Sequence, residues 1–224
     1  MQPPMDWDSF YRQDTPPSYS IGRPQPELAT LIDQGKVRGE VLDAGCGHAA
    51  LSLYLAANGY TVVGLDISPT AVAEATATAT ERGLTTASFA QADLTAFEGY
   101  DGRFSTIFDS GLLHTLPPEK HQDYLQSISR AAAQGASLYV LSFADGALDV
   151  QIDEDRPGPH GFNEAELREA VSILWEVDDI RPAKLYANDS LFTEAGGRAP
   201  NAERDGEGHV IIAGILLSAH KPGR

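Results

Sequence analysis

The stretch "VLDAGCGHAALSLYLAANGYTVVGLDIS", Val41 to Ser68, constrains this chain more than any other. It sets out a short apolar run, a loop with two closely spaced glycines, an apolar run at helical spacing that stops at Gly59, and a β-branched run ending in Asp66. Strand, loop, helix and strand in that order make a βαβ unit with a right-handed crossover. In open sheets of such units a ligand sits at the carboxyl ends of the strands, where the strand order reverses. The loop "DAGCGHAA" falls at that place. Gly45 and Gly47 have no Cβ, so the backbone can turn sharply there and approach a ligand closely.

Two cofactor classes use glycines and a downstream acid in this way. Read from Gly45 to Ala50, the loop satisfies the dinucleotide fingerprint, and Asp66 follows Gly45 by 21 residues, where a carboxylate can accept both ribose hydroxyls. Asp43 separates the two. It stands directly before the glycines, where a pyrophosphate would come close, and an anion there favours a cation over a phosphate. S-adenosylmethionine carries an ammonium and a sulfonium and no phosphate. The order Asp43-x-Gly45-x-Gly47 therefore favours S-adenosylmethionine over NAD, and an NAD(P) reductase becomes the lesser alternative. Cys46, the single cysteine, reads as a small residue fitted to the turn.

The rest of the chain continues the alternation. "PELATLIDQG" opens a short helix, and "SPTAVAEATATATERG" another with Ser68 as N-cap and Pro69 at its first position. "TASFAQADL" and "FSTIFDSGLL" read as the third and fourth strands, a helix spans about Pro118 to Ala133, and "ASLYVLSFA" is the fifth strand. Asn163 with Glu166 forms a capping box ahead of "EAELREAVSIL". "WEVDDIRPAKLYA" and "HVIIAGILLSAHK" have only a charged, Gly-rich loop (194–208) between them. Only a loop, with no helical pattern, lies between them, so they should form an antiparallel hairpin at the sheet edge. Residues 1–26, rich in proline with Trp7, Phe10, Tyr11 and Tyr19, read as an arm on the domain surface or a lid over a ligand. Residues 27–224 read as one domain.

The motifs "VLDAGCGHA", "VVGLDIS", "AQADL" and "FDSGLLHTL" resemble those of class I S-adenosylmethionine-dependent methyltransferases over roughly residues 35–145, and more weakly beyond. The family pattern carries a third glycine where this chain has Ala49. The resemblance implies a Rossmann-like, doubly wound α/β sheet of seven strands, order 3-2-1-4-5-7-6, mostly parallel with an antiparallel C-terminal hairpin. It also implies that Asp43, Gly45, Cys46 and Gly47 hold the methionine end of the cofactor, and that Asp66 and Ile67 hold the ribose. Ala92, Asp93 and Leu94 would border the adenine, and Asp109 and Ser110 would line the methionine side. The arm resembles the opening of actinobacterial, including mycobacterial, small-molecule methyltransferases of the benzoquinone or hydroxyquinolone and thiopurine or thiol type. There an aromatic segment closes over the cofactor, which places Tyr11 at it.

The formal net charge of −16 argues against polyanionic partners such as nucleic acid and against anionic membrane surfaces. With a lone cysteine and no signal-peptide pattern, a cytoplasmic location is expected. No acids stand at hard-cation spacing, so no metal is expected. Methyl transfer is an in-line attack that asks the protein for alignment and exclusion of water, with a base only where the acceptor is still protonated. His114, four residues past Ser110, is the best-placed base; Tyr11, Tyr19, Tyr186 and His160 are looser candidates. An aromatic arm, with Phe143, Phe162 and Trp175 nearby, suits a flat apolar acceptor. The expectation is O-methylation of a small aromatic or heterocyclic hydroxyl, such as a hydroxyquinolone or quinol, in a detoxifying role. The alternatives are a thiol, carboxylate or sugar acceptor, or a protein that binds S-adenosylmethionine without catalysis.

Overall fold

A computed structural model describes residues 5–13, 17–147, 160–188, 190 and 203–223. Its elements are α1 (Trp7–Tyr11), α2 (Pro26–Asp33), β1 (Val41–Ala44), α3 (Ala50–Ala57), β2 (Val62–Asp66), α4 (Pro69–Glu81) and β3 (Ala87–Gln91), followed by β4 (Phe104–Ser110), α5 (His121–Ala131), β5 (Ala132–Phe143), α6 (Glu164–Ser172), β6 (Glu176–Ala187) and β7 (Val210–His220). The sheet runs β3-β2-β1-β4-β5-β7-β6. The first five strands in that order are parallel, and β7 lies antiparallel to both β5 and β6. Both the order and the edge hairpin are as the sequence implies.

Sheet burial explains the composition of the strands. Every residue of β1 and β2 is buried, as parallel strands covered on both faces must be. Side chains alternate between two cores. Leu42, Ile107, Leu138 and Val140 point to the face covered by α5 and α6, while Val41, Phe108, Tyr139 and Leu141 point to the face covered by α2 and α3.

The local signals act as read. The Ser68 hydroxyl accepts from Ala71 N–H at 3.1 Å, and Asn163 and Glu166 form the reciprocal capping box. Two details differ. The helix expected from Pro118 begins with a 3-10 turn and becomes α-helical at His121. Strand pairing of β5 begins at Ala132, ahead of the apolar run, because Ala132 pairs with Phe104 before a register shift.

The outer edge of β6 is closed by the N-terminal part of the chain. Pro182 has no N–H to offer. Lys184 N–H donates to Glu27, Tyr186 N–H to the Gln25 side chain at 2.8 Å, and Asn188 N–H to the Ser18 carbonyl at 2.6 Å. Capping these donors removes an exposed strand edge as a template for aggregation. No helix among the described residues is long and apolar enough to cross a membrane. Most of the 194–208 loop, and residues 148–159 ahead of His160, lie outside the described residues.

Candidate active site

Three neighbouring parallel strands, β1, β2 and β4, each carry an aspartate at the last or next-to-last position. Ala44, one residue after Asp43, is paired with Asp109 on one side and with Leu65, one residue before Asp66, on the other. The register alone therefore gathers Asp43, Asp66 and Asp109 at one end of the sheet. The glycine loop crosses this end. Gly45 and Cys46 donate their N–H groups to the Leu65 carbonyl at 2.9 and 3.0 Å, and Gly47 N–H donates to Asp66 Oδ2 at 2.8 Å. Gly45 and Gly47 have φ of +72° and +50°, and Ala49 has +62°. The left-handed backbone at the third position is thus kept, although an alanine occupies it.

Each acid is held differently. Asp43 Oδ2 accepts from the Ser52 hydroxyl at 2.6 Å and the Ser52 N–H at 3.1 Å. Asp66 Oδ1 accepts from Ser68 N–H at 2.9 Å. Asp109 accepts from Leu112 N–H at 2.8 Å, Leu113 N–H at 3.0 Å and the Tyr124 hydroxyl at 2.8 Å, which fixes the turn after β4. Ser52 and Tyr124 were not singled out from sequence. Ser52 had a signal, as a polar residue inside an apolar helix; Tyr124 sits on an amphipathic helix with nothing local to mark it.

Along the rim, Ile67 is exposed and Ala92 N–H donates to the Asp66 carbonyl at 2.8 Å. Asp93 is exposed, its Oδ1 accepting from the Thr95 N–H and hydroxyl, while Leu94 is buried in the core. Ser110 is half-buried at the end of β4.

The arm lies across the glycine loop. Asp8 in α1 accepts from the Ser68 hydroxyl at 2.8 Å and Thr70 N–H at 3.1 Å, joining the arm to the start of α4. The hydroxyls of Tyr11 and Tyr19 hydrogen-bond to each other above Gly47, where a Cβ would come within 2.6 Å of Tyr11 Oη and 2.9 Å of Tyr19 Oη. Tyr11 also packs edge-on to His48 at 5.0 Å. A second tether sits near the hairpin, where Arg23 pairs with Glu207 at 2.9 Å and Asp205 at 3.5 Å. Asp205, Glu207 and His209 gather their ligand atoms within 4.8 Å, and the Arg23 guanidinium supplies a positive charge there.

His114 is buried beside the end of β5. Its ring stacks on Phe143 at 4.3 Å, and its carbonyl accepts from His160 N–H at 2.7 Å. Phe162 packs between the rings of His121 and His160, at 5.3 and 5.8 Å. Trp175 is not part of this group. It precedes Glu176, which pairs with His220, itself paired with Ser137, six residues before the carboxyl end of β5, so Trp175 lies in the core away from that end.

A family model described as a methyltransferase domain matches residues 41–135. The chain is also 51% identical over 222 residues to the 2-heptyl-1-hydroxyquinolin-4(1H)-one methyltransferase of Mycobacteroides abscessus, an alignment covering 96% of each. The chain belongs to the class I S-adenosylmethionine-dependent methyltransferases. Among solved structures, one from work on the conversion of a disulfide bond into a thioacetal group during echinomycin biosynthesis superposes with a TM-score of 0.79 at 29% identity, over 96% of this chain and 91% of that one. The 1,6-didemethyltoxoflavin-N1-methyltransferase of Burkholderia thailandensis, with 1,6-didemethyltoxoflavin and S-adenosylhomocysteine bound, shares the fold with a TM-score of 0.64 at 20% identity, over 88% of this chain and 77% of that one.

The donor set of this methyltransferase fits S-adenosylmethionine. Burial pushes the Asp43 carboxyl up to about 6, opposed by the Ser52 bonds and reinforced by Asp66 and Asp109. Burial likewise raises Asp109 to about 6, against the Tyr124, Leu112 and Leu113 hydrogen bonds, and raises Asp66. Three clustered buried acids share an unfavourable charge that a bound cation relieves. The cofactor, with its sulfonium and ammonium, brings such charge.

Proposed function

We propose that this methyltransferase O-methylates a small, flat aromatic heterocycle bearing a hydroxyl, of the hydroxyquinolone type. The observation that carries this is the relative that shares half of all residues over nearly the whole of both chains and whose name specifies a 1-hydroxyquinolin-4-one. The cluster of rings from Phe143, Phe162, His114 and His160 supports it, since a planar apolar acceptor is bound mainly by rings with a few polar contacts.

In this reading Gly45, Cys46 and Gly47 offer close backbone approach to the methionine end of the cofactor, with Asp43 supplying the negative field and Ser110 lining the same side. Asp66 accepts the ribose hydroxyls beside Ile67, while Ala92, Asp93 and Leu94 border the adenine. Asp109 acts by holding the turn that presents Ser110 and His114. Residues 1–26 serve as a lid on the 27–224 domain, with Tyr11 closing over the glycine loop. When bound, S-adenosylmethionine supplies an electrophilic methyl group, so that an O–C bond forms as the S–C bond breaks and the sulfonium leaves as a neutral thioether. The protein's part is to align the acceptor oxygen and exclude water, which yields large rate effects without covalent chemistry by the enzyme.

The acidic surface favours a small-molecule acceptor over nucleic acid or membrane, and the lone cysteine, Cys46, suits the cytoplasm. The test is methyl-labelled cofactor offered with N-hydroxy heterocycles, phenols, thiols, fatty acids and sugars. Label on the oxygen of hydroxy-heterocycles is the expected result. Label on a thiol or carboxylate alone overturns the acceptor assignment.

A further inference from the structure

The imidazole of His114 is held in one tautomer. Phe143 N–H donates to His114 Nδ1 at 3.3 Å, and the Ser142 hydroxyl lies 3.2 Å from the same nitrogen. A nitrogen that accepts an N–H carries no proton, so the proton of the neutral ring is on Nε2. The stacked Phe143 ring, contributed by the residue whose backbone makes that bond, prevents the imidazole from turning over. On the other edge the ring abuts Gly111, where a Cβ would come within 3.1 Å of Cε1 and 3.5 Å of Nε2. Gly111, at φ +93°, directly follows Ser110 at the carboxyl end of β4.

Nε2 has no hydrogen-bond partner among the described residues. The buried polar side-chain atoms without one are Trp175 Nε1 and His48 Nε2, the latter beside Glu74 but without hydrogen-bond geometry. His114 Nε2 faces Gly111, which carries no side chain to cover it.

We propose that His114 is a hydrogen-bond donor to the acceptor oxygen and not its base, and that the enzyme accordingly selects hydroxyls acidic enough to arrive as oxyanions. This rests on the O-methylation reading above. A base needs an unprotonated nitrogen facing the hydroxyl, and the nitrogen at the Gly111 edge already bears a proton. A donor at that position instead binds an anionic oxygen strongly, since hydrogen bonds to ionised partners are roughly twice as strong as neutral ones. With an ionised acceptor the oxygen lone pair forms the O–C bond and no proton has to be removed.

The titratable neighbours leave this arrangement intact. Asp109 on β4 is occupied by Leu112, Leu113 and Tyr124, His121 at the start of α5 has its Nε2 3.0 Å from the Leu116 carbonyl, and His160 meets His114 through its backbone. Burial drives the His114 ring down to about 3, so it stays neutral at working pH.

The experiment has two readouts. In the free protein, nitrogen chemical shifts of His114 should show Nδ1 unprotonated and Nε2 protonated across neutral pH; the reverse assignment overturns the proposal without any substrate. In kinetics, kcat/KM is measured against pH for hydroxyl acceptors of graded acidity, with wild type, His114→Gln and His114→Phe. The acid limb should move with each acceptor's own pKa in all three proteins. His114→Gln, which keeps a donor, should retain most activity, and His114→Phe should lose about 10- to 100-fold, mainly in KM. A limb that stays at one pH for every acceptor and vanishes in His114→Gln would make His114 the base. Methylation confined to thiols or carboxylates, with the tautomer as assigned, would instead overturn the acceptor reading and with it the oxyanion role.

Discussion

The N–H of Gly47 donates to Asp66 Oδ2 across 2.8 Å, so the acid that ends β2 also fixes the loop that follows β1. One carboxylate thereby sets the backbone of the glycine loop, and in the proposed reading its remaining lone pairs accept the ribose hydroxyls. Asp66→Ala should weaken S-adenosylmethionine binding by about 10- to 150-fold, the worth of charge-assisted hydrogen bonds of about 1.5–3 kcal/mol. Asp66→Asn, which keeps one acceptor oxygen, should fall between. Titration calorimetry reads both, and an unchanged Kd in Asp66→Ala would remove Asp66 from the cofactor site.

Ala49 adopts φ +62° at the N-cap of α3. Relief of the left-handed strain, about 1–2 kcal/mol, is offset in Ala49→Gly by a lost buried methyl (about 0.8 kcal/mol) and extra unfolded-state entropy (about 0.4–1 kcal/mol). The variant should therefore lie within about 1 kcal/mol of wild type in denaturant unfolding. Ala49→Val combines a β-branch with positive φ and a buried site, and should lose about 2 kcal/mol or more.

The buried acids should make cofactor binding pH-dependent. Asp43 and Asp109 are raised to about 6, above the ordinary carboxylate value of 3.8 they have when unfolded. In the free protein their protonation therefore adds stability that is fully present below about pH 4 and lost as pH rises through 6. A cation favours the ionised form, so S-adenosylmethionine should bind more tightly at pH 7 than at pH 5 and release protons on binding near pH 6. S-adenosylhomocysteine, lacking the sulfonium, should show a weaker dependence. Calorimetry in buffers of different ionisation enthalpy measures the released protons directly.

Asp8 joins the arm to the start of α4 through Ser68 and Thr70. Asp8→Ala should leave the fold intact and speed cofactor dissociation about 3- to 10-fold, the usual place for an affinity change to appear. Stopped-flow dissociation measures it, and an unchanged off-rate would mean that the arm does not gate the cofactor.

Much of this was legible in the sequence, for identifiable reasons. Period-2 and period-3.6 patterns, Ser68 with Pro69, and Asn163 with Glu166 are local signals, and local signals fixed the elements. The last two strands read as an antiparallel pair because only a loop, with no helical pattern, connects them. The grouping of Asp43, Asp66 and Asp109 was implied by the family resemblance of the motifs that carry them, and the parallel register gives its physical reason by placing the strand ends side by side. What could not be read locally was how each acid is held. Tyr124 reaches Asp109 from a separate helix, Ser52 satisfies Asp43, and the Phe143 backbone orients His114, all through contacts between distant segments. An aromatic after a helix gives no sign of which end of the sheet it faces, and Trp175 lies away from the rings expected beside it. Tyr19 was visible as an arm aromatic, but its pairing with Tyr11 above Gly47 depends on how the proline-rich arm folds back.

The most direct test is incubation of the protein with S-adenosylmethionine and 2-heptyl-1-hydroxyquinolin-4(1H)-one, with the product located by NMR and mass spectrometry. One methyl on the N-hydroxyl oxygen, formed one-for-one with S-adenosylhomocysteine, is the expected result. Tight cofactor binding with no methyl on that oxygen would contradict the assignment.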